Sequence, residues 1–231
     1  MKNKFFRFAG DLLWMMYPSI CAACGRPLFT GEECICTPCR FHLPLTGFHL
    51  LPDNPVVQHF WGKVPVLNAT AFYYFSKGER VQKLIHQLKY KGRKDVGDFI
   101  GRLMGAELQK TIYNNIDLVI PVPLHISRLR IRGYNQSDYF AEGLAKGLKK
   151  DFSFNSLVRT EATSTQTRKH RFERFKNVDN IFSVIDESSV KNKCILLVDD
   201  VITTGSTLIA CSEALLAVPG TSVFVAAIAS A

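Results

Sequence analysis

Two stretches of this sequence combine side chains that do chemistry. In residues 195–207 an apolar run, Ile-Leu-Leu-Val, meets the acids Asp199 and Asp200 and passes into a loop of Thr203, Thr204, Gly205, Ser206 and Thr207 that opens a helix. The first turn of a helix offers unpaired backbone N–H groups and the positive end of the helix dipole, which together bind phosphate. The hydroxyls add donors, and Gly205 lets the backbone approach the anion closely. Two adjacent carboxylates at the carboxyl end of a strand can accept hydrogen bonds from paired hydroxyls, as on a ribose. An ordinary strand–turn–helix with a Ser/Thr cap explains the hydroxyls and leaves the two acids unexplained. The loop lacks a Gly-Lys-Ser/Thr run, so it is not a Walker loop.

The second stretch holds five of the seven cysteines. Cys21-x2-Cys24 and Cys36-x2-Cys39 are separated by eleven residues, with Cys34 between them. Each CxxC turn can aim two thiolates at one ion, and the intervening loop brings the second pair back to close a tetrahedral site. Thiolates select soft metals, and Zn²⁺ is the commonest fit. Four protein ligands leave no open coordination position, so the metal expected here is structural. Cys34 reads as a spare thiol, because using it would break the spacing of the second pair. The alternative is a disulfide scaffold in an oxidising compartment. The N-terminus argues against that, since Lys2, Lys4 and Arg7 are followed by only a short apolar run broken at Gly10 and Asp11. Cys194 and Cys211 lie in apolar stretches and read as core residues.

The chain that must position these groups has 231 residues, 47% hydrophobic and 21% charged, which excludes a disordered chain. No apolar run is long enough to span a membrane. The net charge of +9 calls for an anionic partner. Residues 1–60 carry five basic and four acidic side chains, so the excess lies in residues 61–231. It falls in two clusters, Lys77, Arg80, Lys83, Lys89, Lys91, Arg93 and Lys94, then Arg168, Lys169, Arg171, Arg174 and Lys176. A solvated face is the plain alternative for either cluster.

Periodicity organises the rest. Residues 1–20 read as an apolar helix that packs on the cysteine module or the main domain, with a membrane-surface helix as the alternative. Residues 41–66, with four prolines and little periodicity, read as a linker. Strands are expected at 69–75, 117–122, 180–185, 194–198 and 222–228. Helices are expected at 79–90, 95–110 with Asp95 as N-cap, 137–149 and 206–217. Residues 157–176 are polar and basic without an apolar period. Strand and helix alternate, so the fold class is α/β with a parallel sheet. The expected division is residues 1–60 for helix, cysteine module and linker, and 61–231 for the α/β domain.

Residues 195–207 resemble the phosphoribosyl-pyrophosphate signature of type I phosphoribosyltransferases. The stretch Val119-Ile-Pro-Val-Pro-Leu, Arg128, and Arg132-Gly133-Tyr134-Asn135-Gln136 resembles the ComF group of that superfamily. So do the double CxxC, Leu88-Lys89-Tyr90-Lys91-Gly92, and Arg159, Gln166, Arg174 and Asn177. The resemblance spans nearly the whole chain. It implies a type I phosphoribosyltransferase fold with a small N-terminal zinc-binding module. It also implies that Thr203 to Thr207 hold a 5′-phosphate and that Asp199 and Asp200 meet ribose hydroxyls. Arg128 and Arg132 would stand at the pyrophosphate loop, and Arg168, Lys169 and Arg171 on a mobile loop covering the site. Mg²⁺ would accompany phosphoribosyl pyrophosphate. The nucleophile is not named by any residue. Tyr134 and Asn135 are candidates to touch it, with a structural role as the alternative.

The resemblance therefore implies a cytoplasmic protein that binds phosphoribosyl pyrophosphate and transfers the phosphoribosyl group, linked to DNA uptake in natural competence. A second function class is open, a single-stranded-DNA-binding protein that uses the basic surface and the aromatics Phe72, Tyr73, Tyr74, Phe75 and Tyr90. Those aromatics read at least as well as the core of a strand. A zinc-ribbon adaptor for competence or DNA-processing proteins is a third.

Overall fold

Short, continuous apolar runs build the centre of the molecule. The computed structural model describes residues 18–160 and 181–231. A five-stranded parallel sheet is formed by β1 (Asn68–Tyr74), β2 (Leu118–Pro121), β3 (Asp151–Phe152), β6 (Cys194–Ile202) and β7 (Ser222–Ser230), in the order β1-β7-β6-β2-β3. Val119 lies opposite Leu196 and Pro121 opposite Val198. A separate antiparallel pair, β4 (Leu157–Arg159) and β5 (Phe182–Val184), flanks residues 161–180.

The strand side chains sort onto two faces with period two. Val119, Leu196, Val198, Phe224 and Ala226 join one core. That core is covered by α3 (Arg80–Tyr90), α4 (Lys94–Leu108) and α6 (Gln136–Leu148), and it continues into Cys21, Cys34, Cys36 and Cys39. Leu118, Ile120, Ile195, Leu197, Val223 and Val225 join the other core, under α7 (Ser206–Leu216) and α2 (Pro55–Gln58). Strands buried on both faces read as continuous apolar runs, which is why β6 and β7 are so apolar.

Glycines let α4 and α6 approach. A Cβ at Gly143 would stand 2.2 Å from the Asp98 carbonyl oxygen, and one at Gly101 would stand 2.5 Å from that of Phe140. On the same helix pair, Asp98 accepts from Arg102 Nε and Lys146 Nζ, both at 2.9 Å.

Several sequence expectations shift. Residues 41–66 are not an unstructured linker. They carry a 3₁₀ turn at Phe48–Leu50 and helix α2, with Val56, Val57 and Phe60 buried in the core and Asn54 capping α2. Two such short pieces are too brief to show a period. The second helix starts at Lys94 with Arg93 as N-cap, so Asp95 sits in its first turn and pairs with Arg93 instead. Helices α1 (Thr37–His42) and α5 (Ile126–Arg132) were not expected, and α5 buries none of its side chains. Within 157–176 a short strand forms at Leu157–Arg159. Residues 1–17, most of the expected N-terminal helix, and Arg168, Lys169 and Arg171 lie outside the described residues.

Candidate functional site

The connection after β2 runs through α5 and α6 to β3 on one side of the sheet order. The connection after β6 runs through α7 to β7 on the other. The order therefore switches direction between β2 and β6, with α6 and α7 on opposite faces. In open α/β sheets ligands bind outside the carboxyl ends of the strands at that point.

A cavity of about 460 Å³ opens there. Asp199, Asp200 and Thr203 enter it from β6 and the loop beyond, and Thr207 from the first turn of α7. Arg128 and Arg132 line it from α5, and Lys89 and His86 from α3. Gln136 contributes from α6 and Arg159 from β4. Beside it lies a smaller recess of about 50 Å³ walled by Asp199 and residues 201–208. That recess is the hydroxyl loop itself. Gly205 stands at φ +74° as the N-cap of α7, a conformation that favours glycine. Thr204 and Ser206 hydroxyls lie 2.9 Å apart. The sequence-expected phosphate residues, acids and two arginines thus converge on one place.

The acids differ in environment. Asp200 is only 5% exposed, and its Oδ2 lies 2.9 Å from Lys89 Nζ. Asp199 Oδ1 accepts from Ser137 Oγ at 3.0 Å and from the Asp200 amide at 2.8 Å. Burial, then the neighbouring Asp200 charge, pushes the Asp199 carboxyl up to about 7, against the pull of the Asp200 amide, Ser137 and Lys89.

Tyr134 and Asn135 have structural tasks. The Tyr134 hydroxyl donates to the Leu88 carbonyl oxygen. Asn135 caps α6, donates to the Val122 carbonyl at 3.0 Å, and donates to Asp138 Oδ1 at 2.6 Å. Sequence reasoning assigned no task in the site to His86, Gln136 or Ser137, and used Lys89 and Arg159 only as charge or motif members. Their convergence is tertiary and leaves no local signal.

A second cavity of about 610 Å³ shares Lys89, Tyr90, Arg128 and Arg132 with the first and adds Gly92, Ile131 and Tyr134. Tyr90 is 65% exposed, with the Arg132 guanidinium 5.3 Å above its ring. Phe72 and Tyr73 are buried, so that part of the aromatic run is core.

The cysteine module rests on α3 and α4. Arg102 pairs with Glu33, and Arg93 donates to the Ile20 carbonyl. The sulfurs of Cys21, Cys24, Cys36 and Cys39 lie within 4.8 Å of one another. Cys24 and Cys36 sulfurs are 3.7 Å apart, close to the ~3.8 Å edge of a tetrahedron with Zn–S bonds of ~2.3 Å. The four cysteines could therefore hold a metal. Burial opposes the Cys21 thiolate, but the Cys36, Cys24 and Ala23 amides together bring the thiol down to about 7. Cys34 lies outside the cluster, and burial pushes its thiol up to about 12. Among the described residues, no helix is long and apolar enough to cross a membrane.

Residues 136–231 match the phosphoribosyl transferase domain family. The chain is 30% identical over 217 residues to the DNA utilization protein YhgH of Escherichia coli (strain K12), covering 86% of this chain and 91% of that one. It is 39% identical over 93 residues to competence protein F of Haemophilus influenzae, covering 40% and 41% of the two chains. It is 24% identical over 190 residues to competence protein ComFC of Bacillus subtilis (strain 168), covering 82% and 68%.

Proposed function

Because this chain belongs to the ComF family and carries its type I phosphoribosyltransferase fold, we propose that it binds phosphoribosyl pyrophosphate with Mg²⁺ and transfers the phosphoribosyl group to an acceptor. The observation that carries this reading is the meeting of the two carboxylates, the hydroxyl loop and two arginines at one strand-switch cavity.

Thr203, Thr204, Gly205, Ser206 and Thr207 hold the 5′-phosphate in the small recess through backbone N–H groups and hydroxyls. Asp199 and Asp200 accept from the 2′- and 3′-hydroxyls, which orients C1′ toward the open cavity. Arg128 and Arg132 face the pyrophosphate. The acceptor's lone pair forms a bond to C1′, and the C1′–O bond breaks with its electron pair leaving on pyrophosphate. The acceptor's proton passes to solvent. The arginines stabilise the charge that grows on the leaving oxygens. Mg²⁺, when bound, supplies further neutralisation of pyrophosphate. Arg168, Lys169 and Arg171, outside the described residues, are assigned to the covering loop by family resemblance. Zn²⁺ held by Cys21, Cys24, Cys36 and Cys39 would be structural. Thiolate ligands stay unpaired in a reducing compartment, so the four-cysteine metal site fits a cytoplasmic location.

Calorimetry tests the reading. Wild type, metal-loaded and folded, should bind phosphoribosyl pyrophosphate saturably with Mg²⁺, and Asp199→Ala/Asp200→Ala should not. Absence of binding to wild type overturns it. The exposed Tyr90 beside Arg132, together with relatives named for DNA utilization and competence, favours one second reading, single-stranded DNA as ligand. That reading requires affinity that falls steeply with salt. It also requires affinity that drops more on replacing Lys91 or Arg93 than Asp199.

A further inference from the structure

Two neighbouring carboxylates in a half-closed cavity repel each other and also repel an anionic ligand. Of the cations lining the cavity, the fold sets one in contact with the pair. Lys89, from the last turn of α3, places its ammonium group 2.9 Å from Asp200 Oδ2, with 23% of its side chain and 7% of the aspartate side chain exposed. Lys89 lies outside residues 136–231, which match the transferase domain, and 111 positions before its partner. The contact has a particular character. Asp200 Oδ2 is cut off from solvent, and the Lys89 ammonium at 2.9 Å is the charged group set against it. A buried carboxylate that loses this ammonium is left with an uncompensated charge, which another cation can neutralise.

We infer that Lys89 is a positioning residue that serves as the built-in counter-cation of the acidic pair, holding Asp200 in the free protein and competing for it with a divalent cation. This rests on the proposed phosphoribosyl pyrophosphate reading for its biological use, though not for its first test. With Lys89 on Asp200 one of the two carboxylate charges is cancelled, so an anionic ligand meets less repulsion before any metal is bound. Lys89 also lines the second cavity with Arg128 and Arg132. An ammonium group released from Asp200 therefore joins the two arginines that face pyrophosphate. The groups that bear on this balance are Asp199 and Asp200 on β6, His86 on α3, His125, Arg128 and Arg132 at α5, and Arg159 on β4.

The test measures Mn²⁺ binding to the full metal-loaded chain by electron paramagnetic resonance, without any other ligand. Wild type and Lys89→Arg should bind Mn²⁺ weakly, and Lys89→Met and Lys89→Gln at least tenfold more tightly. Equal Mn²⁺ affinity in all four proteins overturns the proposal, because it would show that the ammonium group does not compete with a divalent cation for Asp200. A second measurement needs no variant to fold. Zinc-loaded wild type in Mg²⁺-free buffer, with no chelator, should retain phosphoribosyl pyrophosphate binding within about tenfold of its value with Mg²⁺. A larger loss overturns the built-in cation. If wild type binds none of that ligand even with Mg²⁺, the transferase reading fails, and the Mn²⁺ series still decides the role of Lys89.

Discussion

Ser137 Oγ stands 3.0 Å from Asp199 Oδ1 and donates to it, tying the first turn of α6 to the acidic end of β6. The same oxygen accepts from the Asp200 amide at 2.8 Å, so the carboxyl is fixed in rotation while burial and the Asp200 charge raise its pKa to about 7. Unfolded, an aspartate ionises near its ordinary value of 3.8. Between those values the folded state keeps a proton that the unfolded state has lost. The contribution of Asp199 to stability is therefore fullest below the unfolded pKa and falls as pH rises toward 7, by up to about 1.4 kcal/mol per pH unit. Asp199→Asn removes this penalty. Its melting temperature should exceed that of wild type at pH 8 and match or fall below it at pH 4.5. Parallel melting curves at every pH would contradict the assignment.

The α4–α6 contact predicts a different kind of loss. A Cβ at position 143 would lie 2.2 Å from a backbone oxygen, and backbone cannot swing aside as a flexible side chain can. Gly→Ala in an exposed helix gains ~1 kcal/mol of propensity. Here overpacking should reverse the sign and cost ~2 kcal/mol or more. Gly143→Ala should melt roughly 4–8 °C below wild type. A neutral or stabilising result would mean that the helices separate freely.

The hydroxyl loop was legible because its parts are local: an apolar strand, two acids, hydroxyls, a glycine and a helix start follow one another within residues 195–207. The buried strands were legible because their apolar runs are continuous. Lys89 against Asp200 was not, since the pairing is made by packing α3 over β6 from opposite ends of the chain. Helix α5 escaped notice because a helix with no buried side chain leaves no apolar stripe to detect. Residues 41–66 misled for the opposite reason. Val56, Val57 and Phe60 are buried, but on a single helical turn among prolines, where no period can develop. Asp95 looked like a cap by residue type, yet Arg93 claims its carboxylate.

The cysteine module separates ligands from bystanders. Cys24 is the exposed member of the four-sulfur cluster, and Cys34 is buried outside it. Cys24→Ser should lose bound metal, counted as less than half an equivalent of zinc per chain by atomic absorption. Cys34→Ala should keep one equivalent. Because the cluster shares a core with α3 and α4, metal loss should also lower the melting temperature of the whole protein. One equivalent retained in Cys24→Ser would remove that residue from the ligand set.

Gly205 offers the sharpest separation of ligand binding from stability. Its φ of +74° costs a non-glycine residue ~1–2 kcal/mol. An added Cβ would touch His59 Cβ only at 3.4 Å, an ordinary contact, so the strain is in the backbone and not in crowding. Gly62 has a similar φ of +69° with nothing within 4 Å of an added Cβ, and it lines neither the cavity nor the small recess. Gly205→Ala and Gly62→Ala should therefore lose comparable stability, a few degrees each in melting temperature. Only Gly205→Ala relieves its strain by moving the loop that walls the small recess. Its affinity for phosphoribosyl pyrophosphate, measured by calorimetry with Mg²⁺, should fall at least tenfold while that of Gly62→Ala stays within twofold. Equal affinities in the two variants would show that the recess formed by residues 201–208 does not hold the phosphate.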